Sequence, residues 1–131
     1  MNLNVFRWRV AIVVYCVDPM SEDLRGALAS IPELTCVDPV VGEPHRRYLN
    51  WQIRSGRDAR DELDDHVEDV LARLRPRQHQ LLDLAALGAE IALEVLCVPP
   101  RDLLPGLLIQ PSHVAELGVL QASISFEVVE S

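Results

Sequence analysis

The sequence predicts an α+β fold: a two-layer sandwich with a mainly antiparallel sheet of about five strands, helices on one face, and a ferredoxin-like character. Three observations lead there. Apolar residues alternate with period two in four separate segments. Between them lie stretches whose apolar residues repeat at helical spacing, bounded by proline, glycine or capping residues. Taken in order the segments read β-α-β-β-α-β-α-β, and 131 residues leave room for one core, so residues 1–131 are read as a single domain.

The clearest alternation runs over residues 5–17. Phe6, Trp8, Val10, Ile12, Val14 and Cys16 fall on one face, and Val5, Arg7, Arg9, Ala11, Val13 and Tyr15 on the other. Aromatic and β-branched residues suit a strand with one face in a core. Asp18-Pro19 is a turn, and Ser21 is an N-cap followed by Glu22 and Asp23, whose charge suits the first helical turn. Leu24, Ala27, Leu28 and Ile31 keep helical spacing until Pro32 stops the helix near Ser30. Residues 34–41 predict a short strand interrupted at Pro39, which argues for an edge, and Gly42-Glu43-Pro44 predicts a loop. In 48–54, Leu49, Trp51 and Ile53 face one way, and Tyr48, Asn50, Gln52 and Arg54 the other.

After Ser55-Gly56 a long helical stretch is predicted from about residue 58 to 87. Leu63, Val67, Val70, Leu71 and Leu74 carry it, Leu81, Leu82, Leu84 and Ala85 resume it, and Pro76 between them should kink or split it. Gly88 suits a C-terminal cap. In 89–98, Ala89, Ile91, Leu93, Val95 and Cys97 point inward against Glu90, Ala92, Glu94 and Leu96, and Pro99-Pro100 ends the strand. A short helix is expected over 109–117, capped by Ser112 and ended by Gly118. The last strand, 120–129, sets Ala122, Ile124, Phe126 and Val128 on one face. The strand holding Pro39 and this last strand are the candidate edges, and a homodimer could form through either.

Within residues 42–95 an ordered set of residues carries a resemblance. Gly42-Glu43-Pro44 precedes Trp51-x-Ile53-x-Ser55; then come Leu63, His66-Val67, Val70-Leu71, Leu74-x-Pro76, Leu81, Leu84-Ala85 and Gly88-Ala89-Glu90. The pattern resembles the bacterial domain of unknown function 4279 family, with the same element order over roughly residues 5–129. The resemblance implies a small standalone bacterial domain and brings with it no activity, cofactor or site residue. By analogy with other small acidic bacterial domains it adds toxin immunity to the functions to weigh.

Composition narrows the partners. The chain has 20 acids against 12 bases and a formal net charge of −8. That balance opposes non-specific binding to nucleic acid or to an anionic membrane surface. All the bases are arginine, which with abundant Ala, Leu, Val and Asp suggests a G+C-rich bacterial genome. No apolar run nears the ~20 residues of a membrane span. The run 10–17 ends at Asp18-Pro19 rather than at a small-residue cleavage site, so a cytoplasmic protein is expected. Cys16, Cys36 and Cys97 stand in apolar stretches and read as reduced, buried thiols.

Two surfaces are candidates for recognition. Seven acids crowd into twelve residues, 58–69, and Asp61, Asp64, Asp65, Glu68 and Asp69 are the candidate contacts for a basic protein partner. Asp61, Asp65 and Asp69 lie four apart, along one helical face. The bland alternative is a solvated helix start whose acids suit the dipole and are offset by Arg57, Arg60, Arg73, Arg75 and Arg77. The other surface is the one basic stretch, with Arg46, Arg47, Trp51 and Arg54 as a candidate anion or ligand surface, since arginine binds carboxylate bidentately. The bland alternative, which is favoured, is a solvated sheet face paired with Glu43 and the helix acids. His45, His66, His79 and His113 lack zinc-ligand spacing, and His66 beside acids reads as a surface residue with a raised pKa. No cofactor or metal is expected, and nucleophile and phosphate-loop motifs do not occur in the sequence. The expected function is that of a non-catalytic, acidic binding protein, in its concrete version an immunity-type or other partner-neutralising protein. A small-molecule-binding or regulatory domain is the alternative, and an enzyme with an unrecognised site the second alternative.

Overall fold

The computed structural model describes residues 5–42 and 46–129, with side chains described for 5–37 and 48–129. Five strands form one sheet: β1 (Arg7–Val17), β2 (Thr35–Gly42), β3 (Arg46–Arg54), β4 (Glu90–Val98) and β5 (Ser123–Val128). Their spatial order is β2-β3-β1-β4-β5. The β2–β3, β3–β1 and β1–β4 pairings are antiparallel, and β4–β5 is parallel. The first four strands thus have the arrangement of a ferredoxin-like sheet, and β5 is added at one side. The two strands expected as edges, β2 and β5, are the edges.

Four helices lie on one face: α1 (Glu22–Ala29), α2 (Leu63–Leu74), α3 (Gln78–Ala86) and α4 (Pro111–Val119). Val10, Ile12, Val14 and Cys16 of β1 and Ile91, Leu93 and Val95 of β4 meet Leu24, Leu28, Val67, Val70, Leu71, Leu81, Leu84 and Leu117 from the helices. The alternation in β1 and β4 therefore marks the covered face correctly. Trp8 and Trp51, both half-buried, pack at the margin of this core, and Phe6 stacks on Trp8 with ring centroids 6.1 Å apart.

Local signals act as their chemistry dictates at several ends. Ser21 Oγ accepts the Leu24 N–H at 3.2 Å and caps α1, which stops at Ala29 before Pro32. The long helical stretch splits at Pro76: Arg75–Arg77 form one 3-10 turn between α2 and α3. Gly88 ends α3 at φ +98, a conformation that glycine adopts without Cβ strain.

Other boundaries differ from expectation. The helix begins at Leu63 rather than near residue 58, because Asp58 builds a turn of its own. Its carboxylate accepts the Arg60 N–H at 2.9 Å, and its carbonyl accepts the Asp61 N–H at 2.9 Å. In α4, Pro111 rather than Ser112 opens the helix, since proline fits the first helical position, and Gly118 lies inside the last turn. The register of β2 against β3 shifts between Val37 and Val40, around Pro39. Of the loop expected at Gly42-Glu43-Pro44, Gly42 closes β2, and Glu43 and Pro44 lie outside the described residues, as does His45. Cys16 and Cys97 are buried free thiols, but Cys36 is exposed, because it sits on the edge strand.

Candidate functional site

The acids of α2 do not form a free fringe. Asp61 pairs with Arg57 at 3.0 Å, and Arg57 also lies 3.8 Å from Asp65. Asp69 accepts the Gly56 N–H at 2.8 Å and pairs with Arg73 at 2.9 Å; Arg73 also donates to the Arg54 carbonyl. One turn earlier, His66 Nδ1 meets Ser55 Oγ at 2.7 Å. Asp69 and His66 together fasten the Ser55-Gly56-Arg57 turn, through which the chain leaves β3, onto α2. His66 is 1% exposed, which corrects the expectation of a surface histidine: it lies on the same side of α2 as Val67 and Val70. Among the described residues its Nε2 has no hydrogen-bond partner. The pair is part-buried, and it ties the turn to α2.

The remaining acids face α4. Asp64 accepts the Gln110 backbone N–H at 3.2 Å, at the start of that helix. Glu68 Oε2 lies 3.2 Å from His113 Nε2. Arg75 grips two carboxylates at once: Nη1 and Nη2 each reach Glu68 at 2.7 Å, and Nε reaches Glu116 at 2.9 Å. Such doubled forks combine charge with fixed geometry. The Arg75 guanidinium, with the His113 ring beside it, holds Glu68 well below the usual glutamate range, at about 2. His113 is 6% exposed, and its Nδ1 makes no hydrogen bond; Asp64 Oδ1, at 3.6 Å, is beyond hydrogen-bond reach but within electrostatic reach.

Between α2 and α4 these side chains border an open cleft of about 330 Å³, lined by Asp64, Asp65, Glu68, Arg75, Gln110, Ser112, His113 and Glu116. Three of the acids expected to meet a partner therefore share a cleft: Asp64, Asp65 and Glu68. The other two, Asp61 and Asp69, serve the turn after β3. His113 and Glu116 are members that the sequence reading missed. One signal was readable: Glu68 and Arg75 are seven residues apart, two turns along one face. Nothing local could place α4 against them.

The basic stretch is distributed differently. Arg46 and Arg47 lie in β3, paired with Gly42 and Val41, and their side chains are outside the described residues. Trp51 looks toward the helices, where with Met20, Leu28, Ile31 and Leu34 it borders a hollow of about 370 Å³. Arg54 lies on the opposite, open face. There Tyr15 donates its phenol proton to Glu94. Burial first, then the Glu94 bond and charge, push the Tyr15 phenol up. Among the described residues no group of three or more potential metal ligands assembles. Among the described residues no helix is long and apolar enough to cross a membrane.

A family model described as a domain of unknown function (DUF4279) matches residues 27–129. No curated protein and no solved structure matches the chain.

Proposed function

The chain belongs to the DUF4279 family of domains of unknown function, and from that premise we propose that it is a non-catalytic binding domain that takes a basic side chain of a protein partner into the α2–α4 cleft. An immunity-type, partner-neutralising protein is the concrete version. The carrying observation is the charge balance of the cleft. Four carboxylates, from Asp64, Asp65, Glu68 and Glu116, border it with one arginine and one histidine. Arg75 is already shared by Glu68 and Glu116. Asp64 and Asp65 keep side-chain exposures of 30% and 52%, and among the described residues the one guanidinium paired with either is Arg57, 3.8 Å from Asp65. A lysine or arginine entering there meets two partly exposed carboxylates, of which Asp64 also accepts the Gln110 N–H and Asp65 lies 3.8 Å from Arg57. The net charge of −8 steers a basic partner toward the protein.

The test is capture from the native host at low and high salt, comparing wild type with the double variant Asp64→Asn, Asp65→Asn. Asparagine at 64 keeps an oxygen for the Gln110 N–H, so the fold is preserved while the charge is removed. A stoichiometric basic partner, released by salt and lost in the variant, is the expected result. A partner held equally by the variant, or repeated captures that return none, would sink the proposal.

A further inference from the structure

On the face of the sheet away from the helices a separate hollow of about 220 Å³ lies among Arg9, Arg54, Glu94, Ser125 and Glu127, over Ala11. The register fixes the sequence of side chains across it. Arg54 is opposite Ala11, Ala11 is opposite Glu94, and Glu94 is beside Ser125. One step along the strands, Arg9 is opposite Leu96, and Leu96 is beside Glu127. Each row thus places a cation and an anion two positions apart with an apolar residue between. Strands are roughly 4.8 Å apart, so the backbones bearing Arg54 and Glu94 are separated by roughly 9.6 Å. Among the described residues neither arginine forms an ion pair with either glutamate.

Two of the four charged groups, Arg54 and Glu94, are held by uncharged neighbours. Gln52, with its amide oxygen toward Arg54, accepts from Nη2 at 3.1 Å and from Nε at 3.2 Å. Glu94 takes the Tyr15 hydroxyl. The hollow is smaller than the roughly 300–1,000 Å³ of sites for drug-sized ligands.

We propose that this hollow binds a small zwitterion, a free α-amino acid, with its carboxylate on Arg54 and Arg9 and its ammonium on Glu94 and Glu127. The selection is by charge. A dianion meets the two glutamates, and a simple amine meets the two arginines. A neutral apolar molecule would desolvate all four charges without pairing any. Only a ligand carrying both signs pairs the cations with its carboxylate and the anions with its ammonium. The guanidinium fork suits the carboxylate, and Ala11 and Leu96 leave a small apolar floor for a side chain. This site is across the sheet from the α2–α4 cleft, and neither depends on the other.

Calorimetric titration with L-alanine, L-serine, L-valine and L-leucine, each beside its N-acetyl and its C-amide derivative, tests it. At least one free amino acid should bind at millimolar concentration, and both blocked forms should bind at least about tenfold more weakly. Arg54→Gln and Glu94→Gln should each weaken binding by about tenfold or more, with the circular dichroism spectrum and urea midpoint unchanged. Arg9→Gln repeats the test without touching β3. Saturation by none of the four free amino acids would overturn the proposal, as would blocked forms binding equally well or variants binding as wild type does.

Discussion

Arg75 and Arg54 are both exposed arginines with glutamates on neighbouring elements, yet their surroundings differ. In the α2–α4 cleft, Arg75 reaches Glu68 at 2.7 Å and Glu116 at 2.9 Å, and His113 closes against the same glutamate. On the open sheet face, Ala11 stands between Arg54 and Glu94, and no ion pair forms across it. Helices can bring long side chains together from several directions. A sheet holds its side chains on a grid of strand spacings, so a small residue between two charges keeps them apart. The cleft charges partly hold the fold together, whereas the open-face charges are left for something else to satisfy.

That contrast can be broken by measuring what each charge is worth. The largest effect is expected at His113, which is 6% exposed and touches two acids of α2. His113→Ala should lower unfolding stability by about 2 kcal/mol, through lost packing and an unfilled site. Arg75→Ala should cost less, about 1 kcal/mol, because its ion pairs are largely exposed and screened even though they form a network. Urea unfolding measures both, and a cost for Arg75→Ala indistinguishable from zero would remove the structural half of the contrast.

Acid should erase the Arg75 effect in a defined window. Glu68 is lowered from 4.5 to about 2, so the stability it contributes is complete above pH 4.5 and is lost as pH falls through 2. The gap between wild type and Arg75→Ala should therefore be constant above that window and close within it. A gap that stays open down to pH 2 would mean that packing by the arginine stem, not its charge, supplies the stability. The smallest effects belong to the open face: Arg54→Gln and Glu94→Gln should each change stability by less than about 0.5 kcal/mol. A larger loss at either would place that side chain among the supports of the fold.

The sheet was legible because its information is local. Period-two alternation in 5–17 and 89–98 separates a covered face, where Ile12 and Leu93 are 0% exposed, from a face bearing Arg9 and Glu94. Pro76 and Gly88 act through their own backbone chemistry. What local pattern cannot carry is which surface an element lands on. His66 looks polar in sequence, but its helical position puts it beside Val67 and Val70, toward the core. Cys36 looks apolar, but an edge strand leaves it outside. The acid run shows its charge plainly, and so do Arg73 and Arg75 beside it, while Arg57 and the Gly56 amide come from the turn after β3, and His113, Glu116 and the Gln110 amide from α4 and its start. The cleft is therefore half visible in the sequence, as Asp64, Asp65 and Glu68, and half dependent on a helix some forty residues away.

β5 follows directly from α4, and every described side chain in it is exposed, including Ile124, Phe126 and Val128 at 42%, 36% and 44%. A strand so thinly covered belongs to the low end of a protein's range of opening free energies. Because α4 supplies one wall of the cleft and leads into that strand, an excursion that releases both would dissolve the cleft while β2, β3, β1 and β4 remain folded. The durability of the cleft is then set by undocking of the last unit rather than by global unfolding. Amide protons of β5 would report on occupancy of a site that they never touch.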